Sequence, residues 1–326
     1  MRDLKNQQIA NQNYNRERSQ ISKWLRQDIN HDKVIREIHE QSTNRIQQQI
    51  DSFYLRYGNR EGLTAKEMRK KADNFDVTQY FEKARIAVEN KDFTPEANEW
   101  LRTYNLKMQT SRLEVLKANI NLELLDMYSK DQRFIDSELH KSAAEEYNRQ
   151  KEIIEQYQDQ AGILGNSAVS PSKSLTQLVY ADFYGANFSE RIWGRNGHYQ
   201  SLQRDLFKSL ANIKTDMMGY RAERNRLMDK YQTTEYEAMR LLRTETQRIN
   251  ADVQLEMGKR NGFTHMIYVA EPSACSVCAA LDTSKIPIDK VEPGYNMFPM
   301  HPNCRCSAYG HVEMMRSDGT STLDDI

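Results

Sequence analysis

Five side chains of the types that bind zinc lie close together near the end of this 326-residue sequence. Cys275 and Cys278 form a CxxC pair in SACSVC, and His301, Cys304 and Cys306 follow in MHPNCRC; they include all four cysteines of the chain. Structural zinc takes four nitrogen and sulfur ligands, usually delivered as short chelating pairs from two separate segments. The two motifs therefore predict a zinc site, with five candidate ligands for four positions.

The same residues allow two other interpretations. In one, the thiols bind no metal and stay reduced, or form disulfides once the chain meets oxidising conditions outside a cell. In the other, the zinc is catalytic and keeps an open position beside a general base. Nucleic-acid deaminases pair H-x-E with P-C-x-x-C, but Pro272 is not adjacent to Cys275 and no H-x-E precedes it. Structural zinc is the interpretation that we favour.

The elements before the cluster are predicted to be helices. Residues 1–160 contain only Gly58, Gly62 and Pro95 as helix breakers and are rich in good helix formers. In SRLEVLKANINLELLDMY, apolar residues recur every three or four positions. This spacing predicts one buried helix face, formed by Leu113, Leu116, Ile120, Leu124 and Met127.

The second half of the chain changes character twice. AGILGNSAVSPSKS, residues 161–174, is rich in Gly and Ser and predicts a loop or hinge. A long helix is predicted in TEYEAMRLLRTETQRINADVQLEMGKRNGF, with Gly258 and Gly262 suited to end it. Aromatic and β-branched residues then predict strands in THMIYVAE and SAYGHVEMM. The long helix has an apolar side made of Ala238, Leu241, Leu242, Ile249, Val253 and Met257.

These patterns predict a mainly α fold, with elongated helical N-terminal and middle regions and a small α+β C-terminal knob stabilised by zinc. We assign residues 1–160 to the helical N-terminal region, 161–174 to the hinge and 175–262 to the helical middle. Residues 263–315 form the Cys/His knob. The polar segment 316–326 is predicted to be a disordered tail.

Composition narrows the function classes. Lys and Arg together number 46, as do Asp and Glu, and this balance argues against a globally basic nucleic-acid binder. The first seventy residues hold 14 basic against 9 acidic side chains, so DNA contact stays a hypothesis for that region. No apolar run is long enough for a transmembrane helix. The start has no apolar core, so we expect no signal peptide and a reducing cytoplasm at synthesis.

Several of these segments resemble the phage head-morphogenesis family of minor capsid proteins. The family pattern of Arg-Thr-Glu on a helix matches residues 243–245. Its CxxC followed by a short Leu-Asp turn matches residues 275–282, although Thr283 stands where the family often has Gly. Its His-Pro-Asn-Cys-Arg-Cys box matches residues 301–306. The helical segments upstream are similar to the family in a more general way.

The resemblance implies a minor head protein of a tailed phage, present in few copies per virion. The implied partners are the portal protein and other capsid or scaffold proteins, with DNA as a further candidate. The implied location is the virion, in the capsid interior or at the portal vertex, after assembly in the host cytoplasm. Roles in head assembly and in genome delivery or DNA ejection are expected, without catalysis. The alternatives are a zinc-dependent, nuclease-like enzyme and an intracellular DNA-binding factor.

Three further side chains near the cluster carry predictions. Arg243 and Glu245 lie two apart on a helix, so their side chains diverge and do not pair with each other. Each is a candidate for holding the knob onto the helix, with a solvated face as the alternative. Arg305 lies between two candidate ligands, and we predict that it donates to backbone carbonyls within the knob rather than to a phosphate or a partner carboxylate.

Overall fold

The computed structural model describes residues 2–57, 86, 89–90, 94–98, 112–161, 171, 173–212, 217–316 and 318–326. Most of the predicted hinge at 161–174 lies outside these residues. The described chain is mainly helical with one small sheet, which confirms the predicted fold class. Its principal helices are α1 (Arg2–Tyr57), α2 (Arg112–Ala161), α3 (Leu175–Val179), α4 (Phe188–Trp193), α5 (His198–Asn212) and α6 (Met217–Arg260).

The long helices follow from the apolar spacing of the sequence. On α2 the predicted face is buried at Leu116, Ile120, Leu124 and Met127, while the side chain of Leu113 lies outside the described residues. On α6 the predicted apolar side is buried throughout, from Ala238 to Met257. Repeats of three and four residues place these side chains on one side of each helix, where burial stabilises it.

The end of α6 is set by a glycine. The helix continues through Gly258 and stops at Arg260, and Gly262 adopts a φ of +82°. The Phe263 amide donates to the Gly258 carbonyl over 3.1 Å. A left-handed glycine followed by such a bond is a common helix C-terminal motif, because glycine has no Cβ to oppose this conformation. The chain is thereby turned directly into the first strand.

The sheet has three antiparallel strands in the order β2-β1-β3. β1 (His265–Val269) is central and pairs with β2 (Lys285–Pro287) and β3 (Ser307–His311). Between β1 and β2 lies the short helix α7 (Ser276–Ala280), and a 3₁₀ helix (Ile288–Lys290) follows β2. The predicted strands at 264–271 and in SAYGHVEMM are β1 and β3, whereas β2 is too short to have been seen in the sequence pattern.

Contacts divide the chain into two compact units. Unit 1 comprises residues 1–33, 134–188 and 238–326. Its apolar core lies on both sides of the sheet: Tyr268 belongs to the cluster with the cysteines, and Ile267 packs with Trp24 of α1. Unit 1 is thus built from three stretches that are far apart in sequence.

Unit 2 comprises residues 34–133 and 189–237. It contains polar pairs: the buried side chains of His39 and Asp131 lie 2.7 Å apart, and the half-buried Arg45 reaches the buried Glu123 at 2.5 Å. The Tyr128 ring packs edge-on against His39 and also contacts Trp193 and Tyr199. The boundaries of the two units differ from the division by sequence into 1–160, 161–174, 175–262 and 263–315. That division stays a prediction.

The C-terminal segment differs from the predicted disordered tail. Met315 and Ser321 form an isolated bridge, and a 3₁₀ helix (Thr322–Asp325) follows, with Ser321 and Asp324 in a capping box. Leu323 and Ile326 pack against the cluster that contains Trp24. The polar composition of this segment predicted disorder. Two apolar side chains and one capping box are nevertheless enough to hold so short a segment against an existing core.

Candidate metal centre

The five predicted ligands come from two neighbouring pieces of unit 1. Cys275 is the N-cap residue of α7, and Cys278 lies within that helix. His301, Cys304 and Cys306 lie in the segment that leads into β3. The short α7 turn places Cys275 and Cys278 on the same side, as the CxxC spacing requires. The structure therefore brings together all five residues that the sequence singled out.

The ligand atoms form two groups that share one cysteine. In the first group, the His301 Nε2 atom lies 3.3 Å from the Sγ atoms of both Cys275 and Cys278. In the second group, the Cys278 Sγ atom lies 3.9 Å from the Cys304 Sγ atom, and Cys306 is close by. Within each group all ligand atoms lie within 4.8 Å of one another. Cys278 is therefore the common member of the cluster.

These separations suit a tetrahedral metal ion. With zinc bonds of about 2.3 Å to sulfur and about 2.0 Å to nitrogen, two ligand atoms of a tetrahedron lie roughly 3.5–3.8 Å apart. The distances of 3.3 and 3.9 Å bracket that range. The donor set consists of thiols and one imidazole. Such donors bind zinc in preference to hard cations such as Mg²⁺ and Ca²⁺. The Cys/His cluster could therefore hold a metal ion.

Burial increases across the cluster. Cys275 is exposed and His301 is half-buried, whereas Cys278, Cys304 and Cys306 are fully buried. The buried thiols pack with Tyr268 of β1 and with Met297 and Phe298. One edge of the cluster thus faces solvent while the other is part of the unit 1 core.

The thiols perturb one another's protonation. Hydrogen bonds from the Cys278 and Cys306 thiols lower the pKa of Cys304 to about 2. The same bonds, together with burial, raise the pKa of Cys278 and Cys306. A metal cation binds thiolates, so metal binding to these three cysteines would displace their thiol protons.

The two more accessible ligands are also shifted. The backbone N–H of Cys278 is the largest cause of the lowered pKa of Cys275. Burial opposes the charged form of His301, but the Pro302 carbonyl and the neighbouring Cys304 and Cys275 outweigh it and raise its pKa. The lowered pKa values of Cys275 and Cys304 favour their thiolate forms, which are the metal-binding form.

The box from His301 to Cys306 is held onto α6. The Asn303 residue adopts a φ of +65°, and its amide donates to the Thr244 Oγ atom over 3.1 Å. The Cys304 amide donates to the His301 carbonyl over 3.1 Å, which closes the turn that brings Cys304 towards α7. Thr244 is the central residue of the Arg-Thr-Glu match, so this motif contacts the box directly.

The hydrogen-bond partners of Arg305 differ from those predicted from the sequence. Its Nε atom donates to the Asp28 Oδ2 atom over 2.7 Å, its Nη2 atom pairs with the other carboxylate oxygen, and its Nη1 atom donates to the Arg243 carbonyl over 2.7 Å. The prediction of carbonyl partners within the knob was wrong, because the acceptors lie on α1 and α6. No local pattern could reveal Asp28, which is 277 positions away.

Arg243 and Glu245 diverge as predicted and have separate roles. Arg243 pairs with Asp32 of α1. Glu245 is buried and accepts from the Arg248 Nε atom over 2.8 Å. Arg248, itself buried, also donates to the carbonyls of Leu178 and Val179 at the end of α3. The alternative prediction, that Arg243 and Glu245 lie on a solvated helix face, is therefore wrong.

Residues 208–309 match the model of the family described as Phage Mu protein F like protein. Residues 208–309 are thus similar to a phage head-morphogenesis family, in agreement with the resemblance carried by the motifs at 243–245, 275–282 and 301–306. No curated protein and no solved structure matches the chain.

The Phage Mu protein F-like match covers the end of α5, all of α6, β1, α7 and β2, and β3 as far as Tyr309. It includes all five candidate ligands and the Arg-Thr-Glu motif. It does not include α1 or α2, although α1 supplies Asp28 and Asp32 to the surroundings of the box. Among the described residues, no helix is both long enough and apolar enough to cross a membrane.

Proposed function

We propose that this protein is a minor head protein of a tailed phage that acts by contacts with other proteins rather than by catalysis. It is present in few copies, associates with the portal and the capsid interior, and takes part in head assembly and genome delivery. The family match supports the head-morphogenesis part of this proposal. Portal association and genome delivery are what the family resemblance implies.

In this proposal the Cys/His cluster is a structural zinc site. The four ligands are Cys275, Cys278, His301 and Cys304, with Cys306 packed behind them against Tyr268. Two observations support Cys304 over Cys306: its sulfur lies 3.9 Å from that of Cys278, and its charge acts on His301. The burial of Cys306 beside Tyr268 in the core fits a supporting role.

The observation that carries a structural role is that the cluster is part of a core. Three of its thiols are fully buried and pack with the sheet, and the box is fixed by bonds to α1 and α6. Structural zinc sites are closed by four protein ligands, whereas catalytic sites keep a position for water. The four protein ligands of this proposal would leave no such position, which distinguishes it from a zinc-dependent nuclease.

Virion composition tests the proposed function. Purified particles should contain this chain in a small, fixed number relative to the portal subunits, measured by quantitative mass spectrometry. An in-frame deletion of its gene should leave particles that are defective in assembly or in DNA delivery. Absence from purified particles would contradict the proposal and favour an intracellular DNA-binding factor.

A further inference from the structure

A buried ion pair connects the candidate metal box to the N-terminal helix. Arg305 lies between Cys304 and Cys306, and its Nε and Nη2 atoms donate to the two carboxylate oxygens of Asp28 on α1. The side chains of Arg305 and Asp28 are only 4% and 10% exposed. A bidentate guanidinium–carboxylate pair fixes the orientation of both groups, since two parallel bonds must be kept in one plane.

The position of Asp28 is itself fixed by the packing of α1. One turn before it, Trp24 is buried with Ile267 and Tyr309 of the sheet. One turn after it, Asp32 pairs with Arg243. The carboxylate of Asp28 is therefore presented from a helix that is anchored on both sides.

The third donor of Arg305 ties the box to α6 as well. Its Nη1 atom reaches the Arg243 carbonyl at 2.7 Å, and the adjacent Thr244 accepts from the Asn303 amide. Arg305 thus spans α1 and α6, with a candidate ligand on each side of it in sequence. A shift of the guanidinium would move the backbone of residues 304–306.

We propose that Asp28 is a positioning residue of the metal centre, acting through Arg305 to hold the Cys304 sulfur towards Cys278. This inference rests on the proposed zinc site. Groups that orient metal ligands from outside the coordination sphere commonly change metal affinity by about 10–100-fold when removed. By thermodynamic reciprocity, metal binding in turn strengthens the docking of α1 on the sheet.

The test compares metal affinity in full-length variants by competition with a chromogenic zinc chelator. Asp28→Asn should bind zinc about 10–100-fold more weakly than the wild type. Asp28→Glu keeps the charge and should recover part of that loss. Tyr14→Phe is the matched control, because it removes another α1 hydrogen bond to this unit, the one to Asp282, 2.9 Å long; its affinity should be unchanged.

A spectroscopic measurement separates positioning from general destabilisation. With Co²⁺ in place of zinc, the visible absorption of the wild-type chain should report a tetrahedral thiolate site, and Asp28→Asn should alter its intensity and position. A folded Asp28→Asn variant with wild-type zinc affinity and Co²⁺ spectrum overturns the inference and leaves the zinc proposal intact. A wild-type chain that binds no zinc overturns both.

The reciprocal effect is measured on the wild-type chain, so it does not depend on how any variant folds. Hydrogen exchange across residues 14–32 should be slower in the zinc-loaded chain than after chelation. Equal exchange in the two states, beside unchanged exchange in α2, would show that the metal and α1 are not coupled and would overturn the inference.

Discussion

At the scale of single residues, Cys278 differs from the other four candidate ligands. It belongs to both groups of ligand atoms, it is fully buried, and it contacts His301 as well as Cys304. Cys306, by contrast, belongs to one group and packs against Tyr268. The two residues are thus the same chemically but have different roles in the proposed site.

This difference predicts unequal effects of the same substitution. Cys278→Ser should remove nearly all bound metal, whereas Cys306→Ser should retain it and cost about 1–3 kcal/mol through a buried hydroxyl. Metal analysis of the two purified variants, beside urea unfolding, checks both expectations. Equal metal loss in the two variants would instead assign Cys306 to the coordination sphere.

Arg248 gives a second prediction at this scale. Its buried guanidinium donates hydrogen bonds to the Glu245 carboxylate and to the Leu178 and Val179 carbonyls at the end of α3. Arg248→Met leaves these acceptors buried without their donor, so we expect a loss of about 3–5 kcal/mol in the free energy of unfolding. The matched control is Arg260→Met, which changes an exposed residue of the same helix and should stay within about 0.5 kcal/mol. A loss below 1 kcal/mol for Arg248→Met would contradict the account.

At the scale of elements, α1 covers one face of the sheet. Ile21 and Trp24 pack with Ile267, Val269 and Tyr309. Tyr14 and Arg18 add bonds to Asp282 and to the Ala270 carbonyl. The contacting positions recur every three or four residues, which is the spacing of one helix face.

Truncation of this face should therefore be costly. Trp24→Ala removes a side chain that is only 5% exposed, and we expect it to cost about 3–5 kcal/mol. Ile29→Ala, on the same helix but 69% exposed, should be nearly neutral and serves as the control. Guanidinium unfolding followed by circular dichroism measures both. Similar values for the two variants would contradict the packing of α1 on the sheet.

Some elements could be predicted from the sequence and others could not. The apolar faces of α2 and α6 and the two longer strands were predictable. A helical repeat of 3.6 residues and runs of β-branched residues are local signals in the sequence. The proximity of the five candidate ligands was predictable from their types and spacing. The partners of Arg305, the three-residue strand β2 and the 3₁₀ helix at the C-terminus were not. Each depends on contacts with residues far away in sequence, which no local pattern encodes.

At the scale of the whole molecule, the family match and the folded unit have different extents. The match covers residues 208–309, while unit 1 also requires residues 1–33 and 134–188. The α2 segment of that unit contributes Arg149, which pairs with Glu17 of α1 at 2.6 Å, and Glu17 accepts from Ser307 of β3. A polar network thus connects all three stretches of unit 1.

This organisation predicts that the matched region does not fold alone. A fragment of residues 208–326, even with zinc, should bind a hydrophobic dye and lack a cooperative unfolding transition, because Ile267, Val269 and Tyr309 lose their cover. The full-length chain is the control. A soluble fragment with a sharp transition and no dye binding would show that α1 and α2 are dispensable for the sheet.

The proposed function requires that a metal ion stabilises the Cys/His cluster as a structural site. The decisive experiment is to measure the metal content of the purified full-length chain by inductively coupled plasma mass spectrometry. We predict about one zinc per chain, lost in His301→Ala, with chelation destabilising the sheet and its helices together. A metal-free chain with an intact, cooperative fold would contradict the claim.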